Sequence, residues 1–218
     1  MLKRILIFLI ILFFPLSSFA TANQTEKNFF KWRSNIRTTY FWVGEGASKD
    51  NNWIPNSMSC WDENWLWNYG GVDNPKKRRG YYPKKFTPKE NPFYFALPYF
   101  DFDENGKKKS AAKALNFLNS KTAKKTNLLK NRWIKVENGK NICYGQWEDA
   151  GPKYNDNWKY VFYGKKPAGH YALDISPALK KCLKTGDVGY TKWRFIAEEK
   201  VPTGPWKKII TTSGINWN

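Results

Sequence analysis

One stretch of the sequence constrains the fold more than any other. Residues 133–147 form two runs of β-branched and aromatic residues on either side of the segment Glu137-Asn138-Gly139-Lys140. An Asn-Gly pair between two such runs is the strongest short signal for a β-hairpin, because the turn needs residues that tolerate positive φ. This part of the chain is therefore predicted to be antiparallel β-sheet.

Further β-type runs lie on both sides of this hairpin. A short helix is predicted to follow the run that ends at Ile175. Ser176 is a natural N-cap, and Pro177 suits the first helical position. Gly186 is suited to end this helix. The chain is thus predicted to be mostly β with one brief late helix, and the further runs are 38–43, 93–100, 171–175, 193–196 and 206–210.

Two long segments interrupt this pattern. Residues 44–92 are rich in Gly, Asn, Pro and Trp without periodicity, which predicts long loops. A second insertion, at about 101–130, is rich in Lys, Ala and Leu. Its apolar residues recur at helical spacing, which predicts a helical insertion with a basic exposed face. Membrane binding by this helix is the alternative, although the apolar stripe is thin. The stripe consists of Ala111, Ala114, Leu115 and Leu118.

The N-terminus has the pattern of a signal peptide. Lys3 and Arg4 precede an apolar run from Ile5 to Phe14, and Ser18-Phe19-Ala20 offers a cleavage site. The run is shorter than the roughly 20 apolar residues that span a bilayer, so no stable membrane anchor is expected. We predict a signal peptide at 1–20, a polar leader at 21–37 and a single domain at 38–218. The mature chain is expected in a periplasm or outside the cell.

The chain is strongly basic, with a formal net charge of +19 at pH 7. Such a balance favours anionic partners, namely nucleic acid, lipid headgroups or acidic polymers of a cell wall. The predicted export argues against nucleic acid as the physiological target. The basic run Lys76-Lys77-Arg78-Arg79 is interpreted as a solvated loop.

Cysteine and histidine usage gives no indication of a metal or a cofactor. The three cysteines allow at most one internal disulfide, and an oxidising compartment favours one. Cys143 and Cys182 are the preferred pair, which leaves Cys60 free. The spacing of the cysteines fits no metal site, and the single His170 does not complete a usual zinc set. His170 is interpreted as a surface or packing residue.

Twelve tryptophans make the chain unusually aromatic. Flat rings beside polar groups suit sugar faces, although Trp and Tyr are also ordinary core material. The cluster around residues 53–67 has Asn, Asp and Glu between its rings, which favours a surface. The predicted substrate-binding residues are Tyr40, Trp42, Trp61, Trp65, Trp67, Tyr99 and Trp147.

Taken in chain order, several short motifs resemble the double-psi β-barrel shared by the rare lipoprotein A family, the expansins and some β-glycan-cleaving enzymes. The resemblance covers residues 131–196 well and is thin before them. The family's Asp-Arg-Gly-Pro motif has Ala150 in place of its Arg, and the Trp-rich segment lies outside the family pattern. The matching motifs are Leu97-Pro98-Tyr99, Val136-Glu137-Asn138-Gly139-Lys140, Glu148-Asp149-Ala150-Gly151-Pro152, Leu173-Asp174-Ile175-Ser176 and Gly186-Asp187-Val188.

The resemblance implies an all-β fold, a six-stranded double-psi β-barrel with a short helix and long insertions. It places Asp149 and Asp174 at one end of a groove that binds glycan. Cleaving a glycosidic bond needs a carboxylic acid, and a hydrolase needs a second carboxylate. The expected function is cell-wall polysaccharide cleavage or remodelling on peptidoglycan or another β-linked polysaccharide, like that of a lytic transglycosylase.

Three alternatives to this function remain open. The first is a non-catalytic, expansin-like module that binds or loosens the wall through the same groove. The second is a basic exported interaction protein for which the barrel is only a scaffold. In the third, the two carboxylates have structural roles: Asp149 caps a turn and Asp174 braces the start of the helix.

Overall fold

A computed structural model of the chain describes residues 28–103, 106–114, 129–151, 156–168 and 172–212. The strands within these residues are β1 (Arg33–Tyr40), β2 (Arg78–Arg79), β3 (Tyr82–Pro83), β4 (Tyr94–Leu97), β5 (Phe102–Asp103), β6 (Gly106–Lys107), β7 (Trp133–Asn138), β8 (Asn141–Ala150), β9 (Leu173–Ile175) and β10 (Gly189–Ile196). The helices are α1 (Trp65–Tyr69), α2 (Lys109–Ala114), α3 (Trp158–Tyr163) and α4 (Pro177–Leu183), with 3-10 turns at Glu198–Lys200 and Pro205–Lys207.

Six of the strands close into a barrel in the order β1-β10-β7-β8-β4-β9. The β4–β8 and β1–β9 pairs are parallel, and the other neighbours are antiparallel. The prediction of a mostly β barrel with few short helices is confirmed. The closed six-stranded arrangement is compatible with a double-psi β-barrel.

The hairpin expected from the Asn-Gly pair is formed by β7 and β8, but its turn lies one residue later than predicted. Asn138 pairs with Asn141 as part of the ladder, so the two turn residues are Gly139 and Lys140. Of these only Gly139 has a positive φ, at 55°. Glycine therefore occupies the first turn position, where positive φ is required in one of the two common hairpin turns.

Helix α4 begins as predicted and ends earlier than predicted. The Ser176 hydroxyl accepts a hydrogen bond from the backbone N–H of Leu179 at 3.2 Å, and Pro177 opens the helix. The helix ends at Lys184 in a left-handed conformation, not at Gly186. The side chain of Asn138 donates to the carbonyl of Leu183 at 3.0 Å, so the hairpin satisfies the last turn at this point.

Two other sequence-based boundaries are wrong. Strand β1 begins at Arg33, so the last residues of the predicted polar leader belong to the barrel. The strand predicted at 206–210 is absent: a 3-10 turn at Pro205–Lys207 takes its place. In this turn the ring of Trp206 packs 4.9 Å from that of Tyr144 and 6.0 Å from that of Phe93.

Both predicted insertions contain regular structure. The segment predicted as loops, 44–92, contains α1 and the β2–β3 hairpin. In the second insertion, α2 confirms helix at Ala111 and Ala114. Leu115 and Leu118, like the predicted signal peptide, lie outside the described residues. No helix in the described part of the chain is long and apolar enough to cross a membrane.

A buried arginine joins the N-terminal segment to the barrel. Arg33 is 3% exposed, and its guanidinium donates to the carbonyls of Phe29 at 2.8 Å and Val161 at 2.6 Å. The same group lies 4.8 Å from the ring centre of Trp193. Backbone carbonyls and a ring face therefore surround the buried charge of Arg33. Phe29 precedes β1, Val161 lies in α3 and Trp193 lies in β10, so these contacts join the N-terminal segment to both α3 and the barrel.

The preferred cysteine pair is confirmed, since Cys143 of β8 and Cys182 of α4 form a disulfide. Cys60 has a free thiol. The disulfide fixes α4 against the strand that leads to Asp149, and α4 itself follows directly after Asp174. It therefore links the two segments that carry the candidate carboxylates.

Candidate functional site

The barrel register aligns the two predicted catalytic residues across one small side chain. Asp174 of β9 and Asp149 of β8 both pair with Ala96 of β4, from opposite sides. Neighbouring strands lie about 4.8 Å apart, so the backbones at the two aspartates are about 10 Å apart. The residue between them, Ala96, has a small side chain that is 1% exposed and belongs to a buried cluster with Phe41 and Tyr94.

An irregularity in the β4–β8 pairing makes this alignment possible. Phe95 pairs with Trp147, yet the next residue, Ala96, pairs with Asp149, so Glu148 is skipped. Because side chains alternate between the two faces of a strand, one extra residue moves Asp149 to the face that Glu148 would otherwise occupy. Gly151 lies nearby: a Cβ there would lie 3.7 Å from an oxygen of Asp174 and 3.8 Å from the Cβ of Ala96.

Asp149 is held by backbone groups. Its Oδ1 accepts hydrogen bonds from the N–H groups of Cys60 and Ala150, each at 2.8 Å. Burial raises the pKa of Asp149 to about 7, against the lowering effect of these two bonds and of a hydrogen bond from the Cys60 thiol. The charge of Asp174 adds a smaller rise to the pKa of Asp149.

Among the residues that the structure describes, the side chain of Asp174 is bonded by the hydroxyl of Thr39, which donates to its Oδ1. Thr39 lies directly beside Asp174 on the parallel strand β1. Burial raises the pKa of Asp174 to about 6, and the hydrogen bond from Thr39 opposes that shift. A fraction of this carboxyl therefore retains its proton near neutral pH.

A third carboxyl, which the sequence motifs did not indicate, belongs to the same cluster. Glu45 lies in a turn after β1, where its N–H donates to the carbonyl of Trp42 at 3.0 Å and its Oε2 accepts from Asn56 at 2.8 Å. Burial raises the pKa of Glu45 to about 7, and the charge of Asp174 adds to that effect. The one available signal was an acidic residue between Gly44 and Gly46 immediately after an aromatic strand.

Two of the predicted substrate-binding aromatics lie together at the end of β1. The rings of Tyr40 and Trp42 are stacked with centres 5.7 Å apart, and both side chains are half-buried. The ammonium group of Lys180 lies 3.7 Å from the ring centre of Tyr40. Successive side chains of a strand point to opposite faces, so the Tyr40 ring lies on the face of Ile175, packed against the barrel core, and not on the face of Thr39 and Asp174.

Four of the other predicted binding residues are core residues, and their interpretation as ligand contacts is wrong. Each is at most 1% exposed, because a large aromatic ring is worth more inside the core than at a surface. The ring of Trp61 lies 5.5 Å from that of Trp147, and the ring of Tyr99 lies 5.0 Å from that of Phe162. The four residues are Trp61, Trp65, Tyr99 and Trp147.

Trp67 remains on the surface, as predicted for the cluster, with 78% of its side chain exposed. It forms part of a cavity of about 510 Å³, and the ammonium group of Lys89 lies 6.0 Å from its ring centre. This cavity adjoins the Glu45 turn, because Ser57, which lines it, follows Asn56 and accepts a backbone hydrogen bond from Leu66 at 3.0 Å. Glu63, Asn64 and Gly70 also line the cavity.

No group of three or more His, Cys, Asp or Glu side chains in the described part of the chain could hold a metal ion. His170 lies outside the described residues. No protein-family model matches the chain, and a search of curated proteins found no match. The barrel and its carboxyl cluster therefore have to support any functional proposal.

The raised pKa values in the carboxyl cluster lead us to expect that the free energy of unfolding falls as the pH rises. A carboxyl whose pKa is higher in the folded than in the unfolded state binds more protons when folded, and the free energy of unfolding then decreases between about pH 4 and pH 7. Glu45, Asp149 and Asp174 all shift in this direction. We expect a free energy of unfolding at least about 1 kcal/mol lower at pH 8 than at pH 5, since each pKa unit corresponds to about 1.4 kcal/mol.

Urea denaturation at the two pH values measures this difference. The matched comparison is Asp174→Asn, which removes one of the shifted groups and should reduce the pH dependence. An unchanged dependence in Asp174→Asn would mean that Asp174 titrates as it does in the unfolded chain.

Proposed function

We propose that this chain is an exported protein that cleaves cell-wall polysaccharide, with peptidoglycan glycan strands as its substrate and Asp174 as its general acid and base. The observation that carries the proposal is the alignment of Asp174 and Asp149 on either side of Ala96, with raised pKa values for both carboxyls. The stacked, half-buried rings of Tyr40 and Trp42, at the end of the strand that carries Thr39, are the proposed sugar contacts.

Asp174 suits the first step of glycosidic cleavage. The bond between the anomeric carbon and the leaving oxygen breaks as a carboxylic acid gives its proton to that oxygen. A carboxyl with an ordinary pKa near 4 is almost fully ionised at pH 6, whereas one with a pKa of about 6 is half protonated. Acid catalysis is most effective when the pKa lies close to the working pH, and burial achieves this for Asp174.

The second step separates two variants of the reaction. In a lytic transglycosylase the muramic acid's own hydroxyl attacks the anomeric carbon, its proton passes to the Asp174 carboxylate, and one carboxyl suffices. In a hydrolase a second carboxylate activates water or attacks the sugar. Asp149 is the candidate for that role, as its pKa of about 7 leaves it partly ionised at neutral pH. We favour the transglycosylase because the resemblance in the motifs points to it.

A non-catalytic wall-binding or wall-loosening module is the second candidate. It is favoured by the exposed Trp67 cavity, which offers an aromatic face beside Lys89 for a sugar chain without providing a reactive group. Such a module would use Tyr40, Trp42 and Trp67 in the same way as the enzyme.

The disulfide between Cys143 and Cys182 supports the exported location, because disulfides form and persist in oxidising compartments. The apolar N-terminal run and its cleavage site are the sequence basis for that location.

Release of soluble fragments from dye-labelled sacculi tests whether the chain acts on peptidoglycan. We expect release to be greatest near pH 5–6 and to decline above about pH 7, because Asp174 loses its proton there. Release that keeps rising through pH 8 would contradict the acid role of Asp174, and no release at any pH would favour the binding module.

Trp67→Ala is expected to weaken binding to sacculi about tenfold, the effect of losing about 1.4 kcal/mol of contact energy. The fold should be unaffected, because the ring is 78% exposed. The matched control is Trp53→Ala, which removes another ring that is 71% exposed but does not line the cavity. Sedimentation with purified sacculi measures both variants. Equal losses in both would show general surface hydrophobicity in place of a specific site.

A further inference from the structure

A second cleft lies between the β2–β3 hairpin and the C-terminal segment, and it shares no residue with the carboxyl cluster. It has a volume of about 540 Å³. Tyr81 and Tyr82 come from the hairpin, and Pro205, Lys207 and Lys208 come from the 3-10 turn region. The cleft thus combines apolar faces with two cations.

Both walls of this cleft are attached to the barrel. The Tyr82 hydroxyl donates to the carbonyl of Pro205 at 2.9 Å, which joins the two walls directly. The ring of Tyr81 lies 5.2 Å from that of Phe93, and Trp206 packs on the same Phe93 from the other side of the cleft. The cleft is therefore formed in advance of any ligand.

The C-terminal wall is fixed by a buried hydrogen-bond network. The backbone N–H of Asn91 donates to the hydroxyl of Thr211 at 2.9 Å. The side chain of Gln146, on β8, donates to the carbonyl of Thr211 at 3.0 Å. These bonds hold the segment that carries Lys207 and Lys208 against the barrel.

The hairpin wall of the cleft is rich in cations. Residues 74–89 contain seven Lys and Arg residues and no Asp or Glu. Arg78 alone forms an ion pair with a buried carboxylate, that of Asp73. The other cations of the hairpin are exposed, and they are Lys76, Lys77, Arg79, Lys84 and Lys85. A strip of cations therefore leads from the cleft across the hairpin. On the other wall the Lys207 ammonium donates to the carbonyl of Glu198 at 3.4 Å, next to the exposed Glu198 and Glu199 side chains.

We propose that this cleft and the basic hairpin form a second binding site, for an acidic polysaccharide. A sugar ring lies against Tyr82 and Pro205, and its phosphate or carboxylate group lies between Lys207 and Lys208. The chain then continues across the cations of the hairpin. Such a site retains the protein on an anionic wall polymer and does not depend on the function proposed for the carboxyl cluster.

The chemistry of the surface favours this ligand over the other polyanions. None of the exposed large hydrophobic side chains in the described residues lies in 74–89 or 200–212, so the surface lacks the apolar residues that insert into a membrane. Nucleic acid also combines rings with phosphates, but the predicted export separates it from the mature chain.

Binding of the full chain to three polymers tests the proposal. The probes are polygalacturonate for carboxylates, phosphorylated dextran for phosphates and plain dextran as the neutral control. We expect binding of one or both charged polymers, with affinity at least tenfold lower in 0.5 M than in 0.05 M salt because the charges are screened. The stronger of the two identifies the anionic group. Binding of plain dextran with equal affinity would overturn the proposal.

Matched variants separate the site from general charge. Lys207→Gln with Lys208→Gln should weaken binding of the charged polymer about tenfold, and Tyr82→Leu about fivefold. Lys165→Gln with Lys166→Gln removes the same charge from two exposed lysines elsewhere and should change affinity less than twofold. Asp174→Asn should bind as the wild type does, so failure of the carboxyl site is distinguishable from failure of this one.

Two outcomes would overturn the proposal with these variants. One is an equal loss of affinity in the Lys207/Lys208 and Lys165/Lys166 double variants, which would indicate that net charge alone, and not a site, binds the polymer. The other is stronger binding to a thymidine oligonucleotide or to anionic phospholipid vesicles than to either acidic polysaccharide.

Discussion

Asp174→Asn is expected to reduce glycan-cleaving activity by about 10²-fold or more, the usual effect of removing a general acid. Asparagine has the shape of aspartate and still accepts the hydrogen bond from Thr39, but it has no titratable proton. The variant should fold and bind glycan as before. Because it also removes a carboxyl that burial disfavours in its charged form, its stability at pH 8 should equal or exceed that of the wild type.

Two further variants give this experiment its controls. Asp156→Asn makes the same chemical change at an exposed aspartate outside the cluster and should leave activity unchanged. Asp149→Asn should match the loss in Asp174→Asn if the reaction is hydrolysis with two carboxylates, and it should lose less if one carboxylate suffices. Full activity in Asp174→Asn would contradict the catalytic role. Loss of the fold in that variant would indicate that Asp174 braces the start of α4.

Loss of the disulfide should have the largest effect on stability. Cys182→Ser is expected to lower the free energy of unfolding by about 3–4 kcal/mol, as the bridge closes a separation of 39 residues and so restricts the unfolded chain. Denaturant unfolding measures the change, and reduction of the wild type should reproduce it. Cys60→Ser is the matched control, since Cys60 forms no disulfide and a serine hydroxyl can still donate to Asp149 as the thiol does. A loss below about 1 kcal/mol would mean that packing of α4 on β8 is sufficient without the bridge.

The geometry of the candidate site, like the stability of the fold, is expected to depend on this disulfide. Cys143 lies on the strand that carries Asp149, and Cys182 lies on the helix that follows Asp174. In the reduced protein, activity should therefore be lost at a lower denaturant concentration than in the oxidised protein. Coinciding activity and unfolding curves in both forms would show that the carboxyl cluster unfolds only with the whole barrel.

Local rules were enough to predict some elements from the sequence. The β7–β8 hairpin follows from an Asn-Gly pair between two β-type runs, and the start of α4 follows from Ser176 and Pro177. Both signals act within a few residues, so no knowledge of the rest of the fold is needed. An Asn-Gly pair predicts that a hairpin turn occurs but not which two residues form it, so the observed shift of one residue to Gly139 was not predictable.

The parts that could not be predicted depend on contacts between distant segments. Nothing in the local sequence distinguishes Trp61, which is buried against Trp147, from Trp67, which is exposed. Glu45 joins the carboxyl cluster only because β1 pairs with β9, which places the turn after β1 beside Asp174. The alignment of the two aspartates was expected from the resemblance in the motifs, and the irregular pairing at Ala96 that produces it is invisible in the sequence.

The central claim is that the carboxyl cluster cleaves glycan strands, and the chemical nature of the products tests it most directly. Purified sacculi are incubated with the full chain at pH 6, and the soluble muropeptides are identified by mass spectrometry. We expect new glycan ends that carry anhydro-muramic acid, and we expect none when Asp174→Asn is used. Reducing ends in their place would assign hydrolysis and require Asp149 as the second carboxylate. Binding to sacculi with no new ends of either kind would contradict the claim and identify the chain as a binding module.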